Sequence, residues 1–106
     1  MKSITLVISP SQPITKELED LVSYLQGTNS EVHVGYGPDF AADWNLFFPL
    51  FDTDLRMVAF TQGLIKQKYD GRITFVSPVI PFELGKENNV DYVATPQGVL
   101  MKYFFI

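Results

Sequence analysis

The sequence predicts an α/β (or α+β) domain built on a mixed sheet of about five strands, and three observations lead there. A near-continuous apolar run, ITLVI at 4–8, is followed by an amphipathic helical segment and then by a second β-favouring run, EVHVGY at 31–36. Three further strand-like runs follow in the C-terminal half: RITFVS (72–77), VDYVAT (90–95) and VLMKYFFI (99–106). The chain has 106 residues, enough for one hydrophobic core and too few for two without disulfides or metals, so 1–106 reads as a single globular domain.

Each element has its own reason. Residues 3–9 form a strand whose unbroken apolar character suits burial on both faces. In 13–26, Ile14, Leu18, Leu21, Val22 and Leu25 lie at i, i+4, i+7, i+8 and i+11, which is one face of a helix. Glu17, Glu19 and Asp20 favour its N-terminus and Gly27 its end. A strand, a helix and a strand in this order make a parallel βαβ unit.

In 39–51, Phe40, Trp44, Phe47, Phe48 and Phe51 repeat the same helical spacing after Asp39, a natural N-cap. A helix is therefore expected there, with a strand through NLFFPLF as the alternative. A further helix spans 54–69, capped by Asp52 or Thr53, with Lys66 and Lys68 in its last turn and Gly71 beyond. Residues 78–89, with two prolines and Asn88-Asn89, read as loop. The runs 90–95 and 99–106, joined by TPQG, read as a C-terminal β-hairpin. The expected order is β-α-β-α-α-β-β-β.

Composition narrows the function classes. Apolar residues make up 46% and charged residues 19%, too rich a core for a disordered chain. Without cysteine there is no disulfide framework, thiol nucleophile or thiolate metal site. With a single histidine, His33, there is no histidine-based metal centre, and His33 in mid-strand reads as structural. No catalytic residue, metal or cofactor is assigned. No apolar stretch is long enough to span a bilayer and no signal peptide is evident, so a cytoplasmic protein without membrane association is expected.

The net charge of −4 is unevenly spread. Up to Leu55, two lysines face eight carboxylates, leaving −6, while the remainder carries +2. Between Glu17 and Leu55 there is no lysine or arginine. Direct contact with a nucleic-acid backbone is disfavoured, because phosphates need clustered cations. A basic protein surface is the expected partner, with an ordinary solubilising acidic surface as the alternative.

Aromatic residues rimmed by carboxylates have the anatomy of a binding hot spot, and the expected contact residues are Asp39, Phe40, Asp43, Trp44, Asp52 and Asp54. The leading expectation is a non-enzymatic protein-binding module, by analogy with inhibitors and immunity-type proteins of bacteria and phages. A structural subunit of a homo-oligomer or larger assembly is the second. The third is a small-ligand or phosphoryl enzyme. The phrase FDTDL is similar to the first motif of haloacid-dehalogenase-type phosphatases, which implies Mg²⁺-assisted phosphoryl transfer at Asp52 and Asp54. That family sets the motif at its first strand in a larger domain, and helix capping accounts for the same residues. Ser9 and Ser11, at the end of the first strand, mark a weaker ligand position, and the GYG of 35–37 reads as a tight turn. The strand and helix order also looks like the thioredoxin fold, without its redox cysteines.

Overall fold

The computed structural model describes residues 2–11, 13–49, 55–77 and 90–105. The chain is α/β, and the described residues form five strands and three helices: β1 (Ser3–Ile8), α1 (Lys16–Gly27), β2 (Glu31–Gly35), β3 (Trp44–Phe48), α2 (Leu55–Lys66), β4 (Arg72–Val76), β5 (Val90–Val93) and α3 (Pro96–Tyr103). The strands form one sheet in the order β2-β1-β3-β4-β5. Every pairing is parallel. This is the strand order of a doubly wound sheet, with its switch point between β1 and β3.

Alternation along the strands sorts the core into two layers. Ile4, Leu6 and Ile8 of β1 and Trp44, Leu46 and Phe48 of β3 face Leu18, Leu21 and Leu25 of α1 and Val99 of α3. Val7, Phe47, Ile73 and Phe75 face Met57, Val58 and Leu64 of α2 on the other side. α1 and α3 therefore share one face and α2 covers the other. The expected βαβ unit is present, with β1 and β2 parallel and in register from Ser3 opposite Glu31 to Val7 opposite Gly35. α1 starts later than its periodicity implies, because the Thr15 hydroxyl accepts the Leu18 amide at 3.2 Å and caps the helix. Beyond Gly27 the chain turns at Asn29, whose φ of 62° is a left-handed conformation that asparagine tolerates.

Two expected elements differ. Trp44–Phe48 is a strand and not part of a 39–51 helix. β3 lies between β1 and β4 and is buried on both faces, so apolar residues fill it at any spacing and imitate a helical stripe. The second strand of the expected hairpin is helix α3. Its N-cap Thr95 accepts the Gly98 amide through Oγ1 at 3.0 Å, and Pro96 sits in the first turn, where its missing N–H costs nothing. With the hairpin goes the one antiparallel pair, so the sheet is parallel and not mixed. The expected loop at 78–89 and the caps Asp52 and Thr53 lie outside the described residues.

Candidate partner-binding site

The connection from β2 to β3 decides where a partner can bind. Parallel neighbours usually need a crossover of a dozen or more residues, most often a helix. Here eight residues, 36–43, return the chain past β1. They run along the α2 side of the sheet, where Arg56 of α2 donates to the Tyr36 carbonyl at 3.2 Å.

This connection is held from below by Asn45, fully buried in β3. Its Oδ1 accepts the Asp39 amide at 2.9 Å, and its Nδ2 donates to the Asp39 carbonyl at 2.9 Å and to the Tyr69 hydroxyl at 3.0 Å. The Tyr69 hydroxyl in turn donates to the Ala42 carbonyl. Gly71 is needed beside it, since a Cβ there would collide with the Tyr69 ring and lie 2.8 Å from the Asp43 carbonyl oxygen. The half-buried, hydrogen-bonded Tyr69 phenol titrates above its usual value, first because burial disfavours the phenolate and further because of the charges of Asp43, Asp39 and Asp70, with the Asn45 hydrogen bond opposing.

Asp39 and Asp43 are committed to this frame. Asp39 Oδ1 accepts the Ala41 amide at 2.9 Å, an Asx turn and not a helix cap. Asp43 Oδ2 accepts the Ser3 amide at 2.8 Å, while its backbone donates to the Ser3 carbonyl and accepts from Arg72. Asp43 thereby ties together the N-terminal ends of β1, β3 and β4. Phe40 has no such duty: the residue is 50% exposed, midway along the connection.

Phe40, Ala41, Ala42 and Asp43 form one wall of an open cleft of about 700 Å³ at the N-terminal ends of the strands. Lys2, Asp70, Arg72 and Asp91 complete it, with Trp44 at its base. The Lys2 ammonium and the Arg72 guanidinium lie 5.9 and 5.3 Å from the Trp44 ring centre, and Arg72 also covers Tyr103 at 4.5 Å. Asp91 accepts the Tyr103 hydroxyl at 3.0 Å.

Of the six expected contact residues, Asp39, Phe40 and Asp43 share this surface. Trp44 corrects the expectation: at 2% exposure it is core, its indole N–H spent on Thr74 Oγ1 at 2.9 Å. Asp52 and Asp54 lie outside the described residues. Asn45 and Tyr69 were not anticipated, although one asparagine inside the run WNLFF signals a polar group with a buried task.

The crevice at the C-terminal strand ends, where doubly wound sheets bind ligands, shows Ser9 and Ser11 with their hydroxyls 3.3 Å apart and solvent-facing. His33 is likewise at the surface, its Nε2 2.9 Å from Glu31 Oε1. Among the described residues no group of three His, Asp or Glu side chains could hold a metal, and no helix is long and apolar enough to cross a membrane. No family model, curated protein or solved structure matches the chain.

Proposed function

We propose that this domain is a protein-binding module that presents Phe40, flanked by Asp39 and Asp43, to a basic partner surface carrying an apolar slot. The observation that carries the proposal is an exposed aromatic ring on a connection otherwise fixed by buried hydrogen bonds. A solvent-facing phenylalanine contributes nothing to the core, yet the Asn45–Tyr69 clamp holds its backbone in one conformation. Such preorganisation lowers the entropy cost of binding, and a central aromatic anchor with a polar rim is how interfaces concentrate affinity. In the cleft that Phe40 lines, Asp43, Asp70 and Asp91 outnumber Lys2 and Arg72. The acidic excess favours a cationic partner and steers its approach.

The test is capture of a partner from the native cells by the immobilised chain, followed by kinetics on the purified pair. Phe40→Ala should weaken binding at least about tenfold, mainly through faster dissociation, with an unchanged melt. Asp39→Asn with Asp43→Asn keeps the amide-accepting oxygens and removes the charges, so it should slow association most at low salt. Glu17→Lys with Glu19→Lys, on α1, should change association far less. Binding that is indifferent to Phe40 would overturn the assignment.

A further inference from the structure

We infer that the outer edge of β2 is a self-pairing surface, through which two copies of this chain join their sheets antiparallel about a two-fold axis. This is independent of the Phe40 site, which lies on the connection that follows.

β2 ends the sheet, and the chemistry of its edge is specific. The Glu31 amide donates to the Lys2 carbonyl at 2.8 Å, so Glu31 turns its backbone groups toward β1. By strand alternation His33 and Gly35 do the same, and the N–H and C=O groups of Val32 and Val34 point outward. Among the described residues no strand pairs with them. Edges of this kind are ordinarily guarded by lysine, proline or a bulge. EVHVG carries no lysine or proline, and its register with β1 runs without a bulge. Instead Val34 is 48% exposed, and Ile14, 56% exposed, lies beside it in a shallow apolar groove against α1.

The outward backbone groups, unpaired by any strand among the described residues, call for another strand, and the side chains select a second copy. Antiparallel pairing centred on Val32 sets Val32 against its own symmetry mate in a hydrogen-bonded pair. Val34 then pairs with Ser30, and each Glu31 faces the other copy's His33. Such facing residues have Cβ atoms about 4.5–5.5 Å apart, within reach of a hydrogen bond from an imidazole N–H to a carboxylate. Glu31 and His33 already touch within one chain at 2.9 Å, with both side chains more than half exposed. The pairing would therefore close an alternating ring of two carboxylates and two imidazoles. Centring on His33 would oppose the imidazoles and centring on Val34 would part them from the carboxylates, so the carboxylate–imidazole hydrogen bond selects a second copy and the Val32 register. A C₂ contact of this kind is closed and stops at two copies.

Sedimentation equilibrium of the full chain over a wide concentration range is the test. The wild type should show a monomer–dimer equilibrium. Val34→Pro removes an outward donor without touching the β1 ladder and should weaken dimerisation by about tenfold or more. Val34→Lys, which adds a guard charge at an exposed position, should do the same should the proline variant prove less stable. Glu31→Lys and His33→Glu should each weaken the dimer, and the two together should restore it by exchanging the charges. A wild type that stays monomeric throughout, a dimer indifferent to both Val34 variants, or a charge swap that fails to restore pairing would overturn the inference.

Discussion

Asn45 fixes the connection between β2 and β3 from beneath. It is a fully buried amide whose three hydrogen bonds fix both backbone groups of one residue, Asp39, and the hydroxyl that supports Ala42. Removing it leaves the Asp39 amide and carbonyl short of partners beneath the connection, and unsatisfied buried groups cost more than the bonds themselves return. Asn45→Ala should therefore destabilise the protein by about 2–4 kcal/mol in chemical denaturation. A loss under ~1 kcal/mol would mean that the connection holds its shape without the clamp. The acidic residues of this segment were legible from charge alone, but their tasks were not. Asp39 and Asp43 each accept a backbone amide, and only the folded path of 36–43 brings those amides within reach. Trp44 shows the converse difficulty. A tryptophan between an aspartate and an asparagine reads as a surface anchor, yet strand alternation turns it into the core with Leu46 and Phe48.

Among the elements, the βαβ unit was readable because α1 is amphipathic and β1 is apolar throughout, two patterns that do not imitate each other. The third strand was less so. An interior strand covered on both faces has no period, and the aromatic residues of 40–51 happened to fall at helical spacing. α3 was obscured differently. Its sequence, PQGVLMKY, is rich in residues that also suit strands, and only Val99 is fully buried, with Leu100, Tyr103 and Phe104 packed at the margin of the core. Capping chemistry separates the two readings. In a helix, Thr95 at the N-cap satisfies an otherwise unpaired amide, so Thr95→Ala should cost about 1 kcal/mol. In a hairpin turn the exposed threonine would be nearly neutral. Thermal melts of this variant decide between them, and a change of only a few tenths of a kcal/mol would speak against the helix.

For the whole molecule, two tyrosines make stability fall at alkaline pH. Tyr69 and Tyr103 both titrate above their ordinary value, in each case first because burial disfavours the phenolate. At Tyr103 the hydrogen bond to Asp91 and that carboxylate's charge push the same way, against Thr74 and Arg72. The folded chain thus holds these protons to higher pH than the unfolded chain, whose phenols titrate near 10.0. Stability from this source is complete below that value and is lost as the pH rises toward the folded values. Melting temperatures should fall above pH ~10, and the double variant Tyr69→Phe, Tyr103→Phe should show a shallower fall. A wild type with flat stability through that range would contradict the assignment. The overall class, α/β, followed from the sequence because it depends on counting apolar segments, whereas the number five was reached only because the strand missed at 44–48 offset the helix at 96–103 read as a strand. Strand order and direction did not, because they depend on which segments pair.

The parallel sheet also governs how the chain can assemble. Ser3 meets Glu31, Ile4 meets Trp44, Trp44 meets Arg72 and Ile73 meets Val90. No strand reaches its neighbour through a tight turn, so each pairing must first close a long loop at an entropic cost that the hydrogen bonds recover only afterwards. β1 emerges first during synthesis yet stays unpaired until β2 and β3 have followed. α1, whose contacts are local and whose N-cap is its own, is the one early structure available to shield it, and its leucines already match the face that Ile4, Leu6 and Ile8 will present. Folding of this chain therefore depends on chain closure around β1.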